Sequence, residues 1–257
     1  MGLNFNFLVK AFRFLPVFLP RIFNLFSSKK HIKFLSDDET LSFLEKNQDF
    51  GIVRFGNSEF SLLAGRSVNT QDYNHYIQRE LKEILLSTPK NYLLALPVDT
   101  TIKNLRFRNH YSWDQIWKKT PRLFMHLYLN LDYNYGSPFC FRLKDVRTSN
   151  LSQYENRVKN LIDDKEIIYI GPSKGKNKKK PEIKHEILTI DIPNKNAFDI
   201  IDDIINRVQK TALRRNNVLV IIVAGATGTI LSARLNRLGI LAYDFGQYQR
   251  HKDFIGH

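Results

Sequence analysis

The chain has 257 residues, enough for one large α/β domain or a domain with a terminal appendage, and enough to bury a sizeable core without covalent staples. Its single cysteine, Cys140, excludes an internal disulfide and a thiolate metal cluster, and reads as a small buried apolar residue in a reducing compartment. With 39 Lys and Arg against 25 Asp and Glu, a formal charge of +14 and a pI near 9.8, the surface attracts something anionic: nucleic acid, lipid headgroups or phosphorylated small molecules.

The distribution of that charge separates the N-terminus from the rest. Phe5, Phe7, Phe12, Phe14, Phe18, Phe23 and Phe26 alternate with Lys10, Arg13 and Arg21, Lys29, Lys30 and Lys33 follow, and no acid precedes Asp37. Cations and the prolines Pro16 and Pro20 break every apolar run well short of the roughly 20 residues a spanning helix needs. The stretch also lacks the small-residue cleavage site of a secretory signal. Aromatic rings interleaved with Lys and Arg suit a segment lying in the headgroup region of an anionic membrane, although the same rings could pack on the domain or on a second copy. Residues 1–35 are therefore set apart as a basic, Phe-rich arm, and 36–257 as the globular domain.

Ser36-Asp37-Asp38-Glu39 is a capping-box sequence that opens a helix through about Lys46. Asp49 to Arg54 reads as a short strand ending in a loop, Phe55-Gly56-Asn57-Ser58-Glu59. Ile77, Leu81, Ile84 and Leu85 recur at helical spacing within a helix from Tyr73 to Leu86, and Tyr92 to Leu96 is a buried strand bounded by prolines. From Thr100 to Arg147 the pattern has no clean period; helices are expected around Trp113 to Asn130 and an extended piece at Phe139 to Leu143. Beyond Leu151 the elements alternate: helix to Ile162, strands Glu166–Ile170 and Ile187–Ile192, a long helix from Ala197 to Leu213, strand Val218–Val223, helix to Leu238, and strand Leu241–Asp244. Such alternation predicts an α/β, Rossmann-like fold with a mainly parallel sheet covered by helices. Ligands bind such sheets beyond the carboxyl ends of the strands, which points to the loops after Val53, Ile170, Val223 and Asp244.

Two of these loops carry chemistry. After Val223 the chain enters Ala224-Gly225-Ala226-Thr227-Gly228-Thr229, where backbone N–H groups and a helix dipole could face a phosphate; a plain tight turn is the alternative. After Val53 comes Arg54-Phe55-Gly56-Asn57-Ser58-Glu59, in which Arg54 could clamp a phosphate and Glu59 could hold a divalent cation or act as a base. The alternative is a surface loop with an Arg–Glu pair. Lys174 to Lys180 is a lysine run, either solvated or available to neutralise a phosphate. No histidine pair has metal-site spacing, and no zinc, homeodomain or RNA-recognition motif supports nucleic-acid binding.

Arg54-Phe-Gly-Asn-Ser-Glu59-Phe resembles the Arg-Phe-Gly-Asp-Gly-Glu-Phe signature of GT-D-type bacterial glycosyltransferases. The resemblance continues, in family order, through Gly65 to Asn69, Leu93 to Pro97, Pro193 to Asp199, Ala224 to Leu231 and Leu238 to Gly246. It implies a transferase that takes a sugar from a nucleotide diphosphate donor, UDP-sugar above all, with a divalent metal, Mn²⁺ or Mg²⁺, held by an Asp-x-Glu motif. That motif falls on Asn57-Ser58-Glu59, so the metal ligands implied are Glu59 and Asn57, and a neutral amide stands where the family has a carboxylate. The basic run Gly171-Pro172-Ser173-Lys174-Gly175-Lys176 replaces an acidic family element. On this reading Glu59 and Asp244 are catalytic, and Arg54, Gly56, Asn57, Gly225, Thr227, Gly228, Thr229, Gln247 and Lys174 bind the donor. The acceptor would be a glycan or lipid-linked polysaccharide precursor. The protein would sit in the cytoplasm, peripheral at the inner membrane face through residues 1–33, with homo-oligomers open and no nucleic-acid partner. The loss of Asp at position 57 leaves a second reading, a non-catalytic subunit of a glycan synthesis complex that binds a sugar nucleotide or an anionic polymer.

Overall fold

A computed structural model describes residues 33–97, 129–130, 132–143, 145–172 and 183–246 of the chain. The expected membrane arm up to residue 32, the helices around Trp113 to Tyr128, the lysine run at 174–180 and Gln247 lie outside the described residues.

Six strands form one parallel sheet: β2 (Gly51–Arg54), β3 (Tyr92–Ala95), β5 (Glu166–Gly171), β6 (Glu186–Asp191), β7 (Val218–Ile222) and β8 (Ala242–Asp244), in the order β3-β2-β8-β7-β5-β6. A two-residue strand β1 (Lys33–Phe34) pairs in parallel with β4 (Asn134–Tyr135). Phe34 and Leu35 are buried, so the folded body begins within the residues assigned to the arm.

Successive side chains of a strand point to opposite faces, and here both faces are apolar. In β7, Val220 and Ile222 enter one core cluster, while Leu219 and Ile221 enter the other. Helices α3 (His75–Leu86), α5 (Ile201–Ala212) and α6 (Ala226–Arg237) cover the first face through residues such as Leu81, Ile204 and Leu231. Helices α1 (Asp37–Lys46) and α4 (Leu151–Asn160) cover the second through Leu41, Leu44, Tyr154 and Val158. The arrangement is a three-layer, Rossmann-like α/β fold with a wholly parallel sheet.

Helix α1 starts where its sequence requires: Ser36 caps Glu39 N–H at 3.1 Å and Glu39 reaches back to Ser36 N–H at 2.7 Å. Arg157 of α4 then locks α1 by a two-pronged contact with Glu45 at 2.8 and 2.7 Å, a geometry that suits a planar guanidinium.

Three expectations are corrected. Asn57 to Leu63 is not loop but a short helix, α2, because Gly56 serves as N-cap and Glu59, three residues on, closes the cap. Phe139 to Leu143 is a series of turns, with Arg142 N–H bonded to Phe139 carbonyl at 2.8 Å, because Phe141 must swing inward to stack on Phe245. The long helix from Ala197 begins as a 3₁₀ turn, Ala197–Ile200, before α5, because Asn196 enters it with φ of 59°.

Candidate active site

A cleft of about 280 Å³ opens at the carboxyl edge of the sheet. Its walls come from the residues after β2 (Arg54 to Glu59), β3 (Pro97), β5 (Pro172), β6 (Ile192 to Asn194), β7 (Val223 to Gly225) and β8 (Gly246), together with Thr70 and the turn carrying Pro138, Phe139 and Arg142. The connection after β5 runs outward to β6 while that after β7 returns to β8, and such a divergence leaves a crevice between neighbouring loops. All four loops picked out from the strand pattern meet here.

Arg54 leaves the end of β2 and lies along the floor. Its Nη1 donates to the Pro138 carbonyl at 2.7 Å, its Nε stands 3.7 Å from Asp244 Oδ1, and that Nε is buried without a hydrogen-bond partner. Gly246 makes this position possible. A Cβ at residue 246 would fall 1.8 Å from Arg54 Nη2, and φ there is +55°, which L side chains rarely adopt.

Asp244 is 1% exposed and sits beneath Arg54 rather than on the cleft wall; its Oδ1 accepts from Gly246 N–H at 2.9 Å. Burial pushes its carboxyl up to about 6, with Arg54 pulling down and Glu59 pushing further up. In the described structure it positions the guanidinium and the 244–246 turn. Asp244, expected to be catalytic, does not line the cleft, because the larger arginine side chain covers it.

Glu59 does face the cleft, although it is 6% exposed. Its Oε2 accepts from Gly56 N–H at 2.5 Å, so one oxygen closes α2. Burial raises its pKa above the ordinary carboxylate value, against the pull of its own and the Gly56 backbone N–H groups and of Arg54. The 57–59 segment thus offers a hard cation one carboxylate, already engaged, and one neutral amide. A second carboxylate, Asp244, is turned to Arg54 and Gly246. Among the described residues no group of three His, Cys, Asp or Glu side chains converges to hold an ion. These residues do not fit a preformed divalent-cation site, which would need several oxygen ligands of which at least one or two are free carboxylates.

The β7 exit is built differently. Gly225, with φ of +55°, caps α6 and lines the cleft, and a Cβ there would press on Thr70 Oγ1 at 3.0 Å. Thr227 is 2% exposed and donates to Gln71 Oε1 at 3.1 Å; Thr229 is fully buried and donates to the Arg54 carbonyl at 2.7 Å. Gly228 sits against Asp244 and Ile222, where a side chain would be crowded at 3.3 Å. Of the residues expected to bind donor in this turn, Gly225 reaches the cleft, while Thr227, Gly228 and Thr229 hold the helix to its neighbours.

Gln71 and Arg142 were not singled out from the sequence. Gln71, 2% exposed, joins Thr227 to Asn196 at 3.3 Å and to Phe198 N–H at 3.4 Å, bringing the loop after α2 against the loop after β6. Arg142 lies in a region of mixed aromatic and basic residues without periodicity, and only its i,i+3 relation to Asp145 was visible, a pattern shared with ordinary surface pairs.

A parallel α/β sheet with a cationic cleft at its carboxyl edge is the architecture of enzymes that bind phosphorylated ligands. Comparison with known proteins narrows the class: the model of the glycosyltransferase GT-D fold family matches residues 52–254. The chain belongs to that family of enzymes. It is 26% identical over 227 residues to a Glycosyltransferase GlyD of Streptococcus pneumoniae serotype 4, covering 85% of this chain and 27% of that protein. It is 27% identical over 230 residues to a Probable glycosyl transferase Gly of Streptococcus gordonii, covering 85% of this chain and 32% of that protein. The chain therefore spans a third or less of the length of these curated relatives. Among solved structures, a conserved domain of unknown function 1792 described as having a distinct glycosyltransferase fold superposes with a TM-score of 0.69 at 25% identity, over 88% of this chain and 82% of that one. A Streptococcus sanguinis glycosyltransferase of the same domain type shares the fold at TM-score 0.69 and 22% identity, over 88% and 85% of the two chains. No helix among the described residues is long and apolar enough to cross a membrane.

Proposed function

We propose that this chain transfers a sugar from a nucleoside diphosphate sugar, a UDP-sugar first among them, to a hydroxyl of a glycan or lipid-linked polysaccharide precursor. The observation that carries this reading is the cleft itself, where Arg54 and Glu59 converge with the Gly225 turn at the carboxyl edge of the sheet of a glycosyltransferase-family fold. The diphosphate lies against Arg54 and the backbone of Gly56 and Gly225, and Asn57 supplies an amide to the same ligand. On sequence grounds Lys174 and Gln247 complete the donor set. In transfer, the bond between the anomeric carbon and the β-phosphate oxygen breaks with its electron pair staying on phosphate. The acceptor oxygen forms the new bond, and its proton passes to the Glu59 carboxylate. Asp244 works through Arg54. Residues 1–33 would hold the protein at an anionic membrane on the cytoplasmic side, where lipid-linked acceptors are presented.

A donor-hydrolysis screen of UDP-, GDP- and CMP-sugars, with and without Mn²⁺, tests the reading on wild type and Glu59→Gln. Glu59→Gln is expected to cut turnover by roughly 100-fold or more, the usual weight of a general base. Because Glu59 binds its proton more tightly than an ordinary carboxyl, the acid limb of the wild-type profile should lie at higher pH than an ordinary carboxylate gives, with activity lost as pH falls through it. Donor binding without turnover for any donor would favour a non-catalytic subunit instead. Asn57→Asp adds a second carboxylate: if a cation works at this site, the variant should gain activity in a Mn²⁺ titration.

A further inference from the structure

Arg142 lies on the cleft wall on the same turn that receives Arg54. Arg54 Nη1 is bonded to the Pro138 carbonyl at 2.7 Å, and the Arg142 guanidinium lies over the ring of the next residue, Phe139, at 5.7 Å. Arg142 Nη2 is 2.7 Å from Asp145, while its Nε, like that of Arg54, is buried with no hydrogen-bond partner. The turn is fixed from below. Ser137 donates to Asp37, Ser137 N–H bonds Thr40 Oγ1 at 2.8 Å, Tyr154 donates to the Cys140 carbonyl at 3.0 Å, and Phe141 stacks on Phe245 at 4.1 Å.

Two guanidinium groups brought into one partly dry cleft are a cost to folding. Burial, and then Arg54, lower the proton affinity of Arg142, with Asp145 opposing. Asp145 offsets one charge. Asp244, 3.7 Å from Arg54 Nε, faces the other, and burial makes it and Glu59 hold their protons more tightly than ordinary carboxyls, which weakens the balance. Arg54 Nε faces Asp244 at 3.7 Å, yet neither Nε makes a hydrogen bond, and burying an N–H without one is a cost. Both guanidinium groups also line the cleft, where a ligand with two or more negative charges would meet them.

Given the reading of this cleft as a donor site, we propose that Arg142 is a second donor-binding residue, and that the Arg54–Arg142 pair neutralises the diphosphate in place of a divalent cation. The two planar forks suit phosphate oxygens on both groups. When the sugar leaves, the nucleoside diphosphate retains the bonding electron pair and its charge grows, and fixed guanidinium groups hold that charge. This accounts for the neutral Asn57 and for a Glu59 turned onto its own helix cap: with the positive charge supplied by side chains, the cleft has no need of a carboxylate pair.

The test is calorimetric binding of inorganic pyrophosphate, UDP and uridine to the full chain, in EDTA and in Mn²⁺. Wild type should bind pyrophosphate and UDP in EDTA. Arg142→Gln should weaken both by about tenfold or more, as expected for a lost charged hydrogen bond, while uridine binding stays the same. Arg142→Lys, which keeps the charge on a single-point donor, should recover part of the loss. A purely structural Arg142 would instead move uridine and pyrophosphate together or lower the melting temperature alone. Wild-type binding that requires Mn²⁺, or unchanged pyrophosphate affinity in Arg142→Gln, overturns the arginine-pair inference and leaves the donor-site reading in place. Absence of any nucleotide or pyrophosphate binding in both conditions overturns the two together.

Discussion

The exits of β2 and β7 are built on the same plan, a parallel strand running through a glycine into a helix, yet they do opposite work with their polar groups. At β7 the hydroxyls of Thr227 and Thr229 are spent inside the protein, on Gln71 and on the Arg54 carbonyl, and the glycines permit close packing. At β2 the polar groups are charged and line the cleft: Arg54 keeps a buried Nε without a hydrogen-bond partner, and Glu59 is a buried carboxyl. Small residues after a parallel strand are needed wherever a helix must fold back tightly, whether or not a ligand binds. Buried charge without full pairing is costly, so it is the better marker of a ligand site.

The sharpest way to break this contrast is to displace Arg54 without replacing it. Gly246→Ala places a methyl in the space of the guanidinium at an unfavourable φ. It should cost roughly 2 to 3 kcal/mol of stability and lower donor kcat/KM by roughly 100-fold. Denaturant unfolding and steady-state kinetics measure both, and normal turnover would show that Arg54 does not act from its observed position.

Asp244→Asn probes the burden carried at the same edge. A carboxyl held near 6 against an ordinary 3.8 costs the folded state roughly 3 kcal/mol at neutral pH. The native state binds that proton more tightly than the unfolded chain, so wild-type stability falls as pH rises from about 4 to about 6 and stays reduced above. The amide oxygen introduced by this substitution can still accept from Gly246 N–H. The variant should therefore be more stable at pH 7 by up to that amount and lack the slope, while turnover drops because Arg54 loses its counter-charge. Equal unfolding curves for the two proteins at pH 7 would refute the assigned burden.

Thr227→Val and Thr229→Val sharpen the contrast from the other side. Thr229→Val takes a donor from the Arg54 carbonyl, and Thr227→Val leaves Gln71 Oε1 with only the longer bond from Phe198 N–H; each should cost roughly 1 to 3 kcal/mol, and neither should change UDP affinity by more than about twofold. A large loss of affinity with unchanged melting would return the β7 turn to the role of phosphate cradle. The smallest effect is expected at Ser36→Ala, which removes one cap bond of α1 for about 1 kcal/mol. Asp37 keeps its contacts with Ser137 and Arg147 N–H, so the turn carrying Arg142 should stay in place and donor KM should not move.

Much of the scaffold was written in local pattern. The capping box at Ser36 set the start of α1, and the apolar runs at Tyr92, Glu166 and Val218 became parallel strands, because hydrophobic periodicity and cap chemistry act over a few residues and depend little on what lies elsewhere. The family motif likewise brought Arg54 and Glu59 to notice, and strand alternation located the edge where the cleft opens. Tertiary structure decided the assignments that depend on distant partners. Thr227 became structural because Gln71, 156 residues away in sequence, accepts its hydroxyl hydrogen bond, and Asp244 became a support because Arg54 lies over it. Arg142 entered the cleft because a turn 84 residues beyond Arg54 supplies the Pro138 carbonyl that holds Arg54 beside it. The sequence by itself determined a helix-covered parallel sheet with charged residues at one strand exit. Which of those charges are buried, paired or left facing a ligand was settled only by packing, because desolvation depends on every neighbour in space and on none in particular along the chain.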